Sequence, residues 1–253
     1  MTKTTLIAAC IAATLLPATS AIAQSSIGMK GASFSFAGVA LDNSDTSYEG
    51  DVMLDIAVTE YHGLQGDLSF YDTDSGMIGR IGGHAYLEPG EGRKYGLFGT
   101  YGDLDGASYS YIQAGIEGMW SLGERTTLEA RAGMGMAEGD LDYIFGGAAI
   151  HYAATGNLTV SAGVDVAEFD EAAFSAIGYN TFVAVEYDMP NMPVVAFGEV
   201  RQDMLEGSSG APAETTAVLG IKIRFGNSGG INPNTRPFRT SDPMAQLVRR
   251  GLF

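Results

Sequence analysis

From about Ser33 to Phe225 apolar residues alternate with polar or small ones at a period of two, in short segments recurring roughly every 14 to 18 residues. The last segment reads TTAVLGIKIRF. Its Ala217, Leu219, Ile221, Ile223 and Phe225 share one side, and Thr216, Val218, Gly220, Lys222 and Arg224 share the other. Successive side chains on a strand point to opposite faces, so this spacing builds a ribbon with one apolar and one mixed face. VMLDIAVTE repeats the pattern with Val52, Leu54, Ile56 and Val58 opposite Asp55 and Thr59. LTVSAGVDV does so with Leu158, Val160, Ala162, Val164 and Val166 opposite Thr159, Ser161 and Asp165. The pattern predicts twelve strands: Ser33 to Leu41, Asp51 to Glu60, Gly63 to Tyr71, Met77 to Leu87, Tyr95 to Tyr101, Tyr109 to Trp120, Thr126 to Ala137, Tyr143 to Tyr152, Leu158 to Phe169, Ser175 to Tyr187, Val194 to Arg201 and Thr215 to Phe225.

A soluble strand with one buried face shows the same alternation, so the connections discriminate better. Alternate ones (DNSDTSYEGD, DTDSG, GDLDGAS, EGDLD, DEAAF and QDMLEGSSGAPAE) hold 16 acidic residues and no basic one. The intervening set, around YH, EPGEGRK, SLGER, AATGN and DMPNMP, holds four acidic and three basic residues. Consecutive hairpin turns of an up-and-down barrel emerge at opposite ends, so one rim is expected to be anionic and the other nearly neutral. Tyr61, Tyr71, Tyr86, Tyr95, Tyr101, Tyr109, Trp120, Tyr152, Phe169, Tyr187 and Phe225 fall at or near strand ends, where interfacial girdles of a membrane barrel lie.

Composition narrows the class. The first 23 residues place Lys3 before LIAACIAATLL, Pro17 and the small-residue ending Ala21-Ile22-Ala23, the order of a secretory signal peptide cleaved before Gln24. Cys10 is the only cysteine, so the exported part has no disulfide framework, thiolate metal site or thiol nucleophile. Beyond this leader no stretch approaches the ~18 to 20 apolar residues of a membrane helix, whereas a spanning strand needs only about 9 to 11. A formal charge of −16 argues against nucleic acid, whose phosphates are bound by clustered Lys and Arg. The 35 glycines suit a sheet that curls closed.

On these features the chain resembles the bacterial outer-membrane β-barrels, including small porins, over nearly all of the exported region. The resemblance implies an all-β, antiparallel up-and-down transmembrane barrel of about 12 strands, with both termini periplasmic and the acidic turns extracellular. Its implied partners are outer-membrane lipid, lipopolysaccharide and the barrel-assembly machinery. That machinery recognises a final strand with alternate apolar residues ending in Phe, here Leu219, Ile221, Ile223 and Phe225. The chain departs from the pattern by continuing for 28 residues past Phe225. Phe253 mimics the ending, but Gly251, Arg249 and Leu247 before it make a poor strand face.

This gives three parts: a signal peptide over 1–23, a barrel over 24–226 and a basic tail over 227–253. The tail carries Pro233, Pro237, Pro243 and four arginines against a single acid, Asp242. It reads as a disordered periplasmic tail. A sharper alternative is a short helix capped by Asp242, its basic end touching the acidic barrel mouth, anionic lipid or a periplasmic partner.

The mixed face assigns to the lumen Arg80, His84, Glu117, Glu129, Arg131, Asp165, Glu186, Lys222 and Arg224. Asp55, Gln113, His151, Asn180, Glu199 and Arg201 join them. Neighbouring charges of both signs either line a hydrated pore or form a salt-bridged plug. About eight strands enclose only side chains and 16 to 18 leave an aqueous channel, so twelve falls between. Catalytic signatures are weak: three histidines (His62, His84, His151) and no G-x-S-x-G elbow. Asp72 with Asp74, and Asp103 with Asp105, resemble half of a calcium loop without its full ligand spacing, and no cofactor is implied. The expectation is a porin-like barrel passing small hydrophilic solutes or ions with weak cation preference, not an enzyme. A non-conducting structural or adhesive surface barrel, and a soluble β-sandwich, are the alternatives.

Overall fold

A computed structural model of the chain describes residues 28–41, 46–73, 76–105, 109–170, 174–227, 229–240 and 242–252. The proposed signal peptide lies outside the described residues. Twelve strands form: β1 (Gly28–Leu41), β2 (Ser47–Ala57), β3 (His62–Thr73), β4 (Gly76–Gly90), β5 (Arg93–Leu104), β6 (Ser110–Gly123), β7 (Thr126–Ala137), β8 (Leu141–Ala153), β9 (Leu158–Asp170), β10 (Ser175–Asp188), β11 (Val194–Glu206) and β12 (Ala211–Gly226). Each pairs antiparallel with its sequence neighbour, and β1 also pairs with β12 from Gly31↔Gly226 to Leu41↔Thr216. The sheet is thereby a closed barrel, and closure leaves no unpaired strand edge.

Strand parity sorts the residues as the alternation requires. On β12 Leu219 is 74% exposed and Ile221 and Phe225 about half, whereas Val218 and Thr216 are buried. Leu68, Ile81, Leu97, Ile112, Ile116, Met134, Ile144 and Val183 continue this outward apolar band. In an aqueous protein it would be an adhesive surface; in a bilayer it is the lipid-facing belt.

The belt's aromatics correct the expected girdle in part. Tyr61, Tyr95, Tyr152, Tyr187 and Phe225 are exposed near the less charged rim, where Trp120 donates its indole N–H to Tyr95 at 3.1 Å. Tyr101, toward the other rim, is exposed as well. Tyr86, Tyr109 and Phe169 instead are buried, and Tyr71 turns inward to reach Asp242. Proximity to a strand end fixes height along the barrel, and only parity fixes the face.

The larger difference is the C-terminal segment. The sequence reads as a free periplasmic tail, yet its described residues, 229–240 and 242–252, run inside the barrel. It enters beside the rim formed by the β4–β5 and β6–β7 turns, where the Ile231 carbonyl accepts a hydrogen bond from Thr127 and Asn234 accepts one from the Gly92 amide (2.8 Å). It ends beside the opposite rim, where Arg250 donates to the Pro212 carbonyl at 2.7 Å. The helix at its end therefore lies in the lumen, away from the rim at which β12 ends. The reason is complementarity: four arginines and a few apolar side chains find acids and an apolar patch on the inner wall. A short helix, α1 (Ala245–Arg249), forms there, and the Asp242 carboxylate accepts from the amides of Met244 and Ala245 at 3.1 and 3.2 Å.

Candidate functional site

The lumen has two unlike halves. The first is apolar and lies toward the acidic rim. Ile78, Leu104, Tyr111, Leu141, Tyr143 and Phe169 point inward there and cover Met244, Leu247 and Val248 of the C-terminal segment, each 0% exposed. An inward apolar patch of this size would be unfavourable facing water, at about 25 cal/mol per Å², and α1 removes it from water.

Three polar anchors hold the rest of the segment. At the first, Gln65 grips the backbone of Phe238 with both ends of its amide, donating to the carbonyl (3.0 Å) and accepting from the N–H (2.8 Å). The Phe238 ring stacks on His84 with centroids 5.8 Å apart. Lys94, fully buried, sits over the rings of Tyr86 (4.1 Å) and Phe238 (4.7 Å) and donates to the Arg236 carbonyl. His84 in turn bridges Asp67 (2.9 Å) and Glu117 (2.6 Å), while Tyr86 donates to Asp55.

At the second, Glu129 pairs with Arg131 and with His151 (3.1 Å) and accepts from the Arg239 amide (3.1 Å). Arg131 donates to the Arg239 carbonyl at 2.7 Å. The Arg239 guanidinium reaches Asp165 at 3.4 Å and lies over the Phe182 ring. At the third, Asp242 accepts from Tyr71 (2.7 Å) and Tyr111 (2.6 Å) and pairs with Arg80 (3.2 Å). Arg80 also donates to Ser69 and Thr240. Beyond these anchors Arg249 pairs with Asp203 at 2.6 Å, and Arg250 with Glu214 at 3.5 Å.

The second half of the lumen is an open polar cavity of about 330 Å³ between the segment and the arc from β8 through β12 and β1 to β4. It extends from Glu186 and Lys222 near the neutral rim to Asp203 and Arg249 near the acidic one. Glu186 holds Lys222 (2.8 Å) and Arg224 (3.1 Å), with Arg236 at 3.7 Å. Arg201 pairs with Glu199 and with Glu49 (3.1 Å). Seven of the charged side chains that line it are acidic and six basic. Its surface is therefore ionic along its whole length, with a small excess of negative charge.

The structure thus turns every charged residue assigned from the mixed face inward, and it brings Arg80, His84, Glu117, Glu129, Arg131, Asp165 and Glu186 into contact with the C-terminal segment or its immediate partners. Lys222 lines the opposite wall of the cavity, and Arg224 pairs with Glu186 beside Gly229 of the segment. Gln113 accepts from Tyr143 (3.2 Å), and Asn180 donates to Asp203 (2.6 Å). Sequence reasoning misses Gln65, Lys94, Tyr111 and Asp203 as luminal residues and assigns Tyr71 to the girdle. Parity alone places Gln65 and Lys94 on the inner face; what they hold is visible only once the segment is inside. His62 opens β3, its ring against Thr59 of the preceding turn. Asp74 falls outside the described residues, among which no group of three metal-ligating side chains gathers.

No protein-family model matches the chain, and no curated protein matches it. Solved structures do. A KdgM porin in complex with disordered oligogalacturonate superposes with a TM-score of 0.54 at 11% identity, over 76% of this chain and 99% of that one. A NanC porin superposes with a TM-score of 0.60 at 8% identity, over 75% and 98%. The chain therefore shares the closed antiparallel barrel fold of these porins.

Proposed function

We propose that this barrel is a narrow porin-like channel through which small hydrophilic solutes or ions diffuse, with a weak preference for cations. The observation that carries the reading is the ionic cavity beside the C-terminal segment, lined from one end of the lumen toward the other by charges of both signs. Permeating ions exchange their hydration for such side chains while no single site holds them tightly. The slight acidic excess and the acidic turns raise the local cation concentration. The neighbouring KdgM structure holds an oligogalacturonate; the acidic excess in this lumen favours cations over such a polyanion.

Refolded full-length protein in a planar bilayer should give discrete conductance steps, with a reversal potential in a KCl gradient of the sign for modest cation preference. Anion preference would contradict the selectivity.

The non-conducting alternative has one observation in its favour, the burial of Met244, Leu247 and Val248 in the apolar half of the lumen. Absence of steps over many insertions would support it. The basic tail as a surface adhesive loses its basis, because its arginines are engaged with luminal acids. Recognition by the assembly machinery is assigned to Leu219, Ile221, Ile223 and Phe225, an outward row on the strand that closes the barrel. Phe225→Ala should lower the amount of heat-modifiable barrel recovered from membranes; unchanged recovery would remove that assignment.

A further inference from the structure

We infer that the C-terminal segment is the constriction of this channel and that its arginines set the ion preference. The inference rests on the channel reading above. A twelve-stranded barrel is wider than the eight-stranded ones that side chains alone can fill. Here the additional volume is taken up by the segment from Gly229 to Leu252, which enters at one rim, is pinned at Phe238, Arg239 and Asp242, and reaches the other rim through α1. What remains for solutes is the cavity on one side.

Its charge is divided unevenly between wall and segment. Of the six basic side chains lining the cavity, three (Arg236, Arg239 and Arg249) belong to the segment, but of the seven acidic ones only Asp242 does. With the segment seated the lining carries one net negative charge, and the wall alone, with six acids against three bases, carries three. The wall is thus a strongly cation-attracting surface, and the segment brings it close to balance. Arg236, Arg239 and Arg249 accordingly act as selectivity-determining residues. The wall also leaves room for the segment: a Cβ on Gly178 would lie 2.9 Å from Gln246 Cδ, and one on Gly96 would lie 3.1 Å from the Phe238 ring.

The test compares three proteins refolded to the heat-modifiable form and recorded in planar bilayers under a KCl gradient: the full chain, a chain lacking residues 227–253, and full-length Arg236→Gln/Arg249→Gln. The double variant keeps Phe238, Met244, Leu247 and Val248, so its segment stays seated if deletion compromises folding. The inference expects at least about a twofold larger conductance and a higher K⁺ over Cl⁻ permeability ratio for the deletion. It expects a permeability ratio raised toward cations with nearly unchanged conductance for the double variant. A silent full chain beside a conducting deletion also supports it, the segment then closing the pore entirely. Equal conductance and permeability ratio for the full chain and the deletion overturn it, as does an unchanged ratio in the double variant if the deletion does not refold. Silence from all three overturns the channel reading instead.

Discussion

At the scale of single residues, the lumen is organised around buried charges that meet both charged and neutral partners. Asp242 is held by one guanidinium and two phenols and also caps the turn into α1. Removing one partner of a buried pair leaves the other charge uncompensated, which costs about 3 to 5 kcal/mol. Asp242→Ala should therefore release the segment, read as new tryptic cleavage after Arg239 in protein reconstituted with the neutral rim accessible. Full resistance would show that the remaining anchors hold the segment without it. Those anchors are testable as well. Leu247→Ala removes a side chain with no exposure from a cluster it shares with Leu141 and Phe169, a change worth roughly 2 to 5 kcal/mol. It should lower the temperature at which the heat-modifiable form is lost, and an unchanged temperature would argue that α1 contributes little to the folded state.

At the scale of elements, the twelve strands follow from alternation, and their order from the short connections between them. Thr126 to Ala137 is found to the residue; most others run longer than their apolar core, because polar residues such as Asp203 and Glu214 continue the pairing past it. Alternation also sorted the inner from the outer face of β4, β6, β7 and β12. It failed at the aromatics Tyr71, Tyr86, Tyr109 and Phe169, where strand-end position was read without parity. The C-terminal segment has no period to read. Its placement depends on matches made at long range, Phe238 with Gln65 and Arg249 with Asp203, which local pattern does not encode; the one visible signal was four arginines following an acidic barrel. Gly178 gives an element-level test, since Gln246 of α1 occupies the space a side chain would take. Gly178→Leu should push α1 from the wall and raise conductance toward that of the tailless barrel, whereas conductance equal to the parent's would mean that α1 shifts without opening the lumen.

At the scale of the whole molecule, the same closed sheet supplies an outward apolar belt, two rims of unlike charge and an interior partly filled by its own C-terminal residues. The belt demands that outward positions stay apolar: Leu219→Arg, at a site 74% exposed on the outer face, should cost about 2 to 4 kcal/mol if it lies near the bilayer midplane. That cost would appear as a lower urea midpoint for the barrel in lipid vesicles. The interior carries the functional claim, that ions pass beside a segment which narrows their path and offsets the wall's negative charge. Single-channel recording of the full chain beside the chain lacking residues 227–253, in the same bilayer and salt gradient, tests this most directly. Small, weakly cation-selective steps that become larger and more cation-selective without the segment are the predicted result; identical steps from both proteins, or none from either, would contradict it.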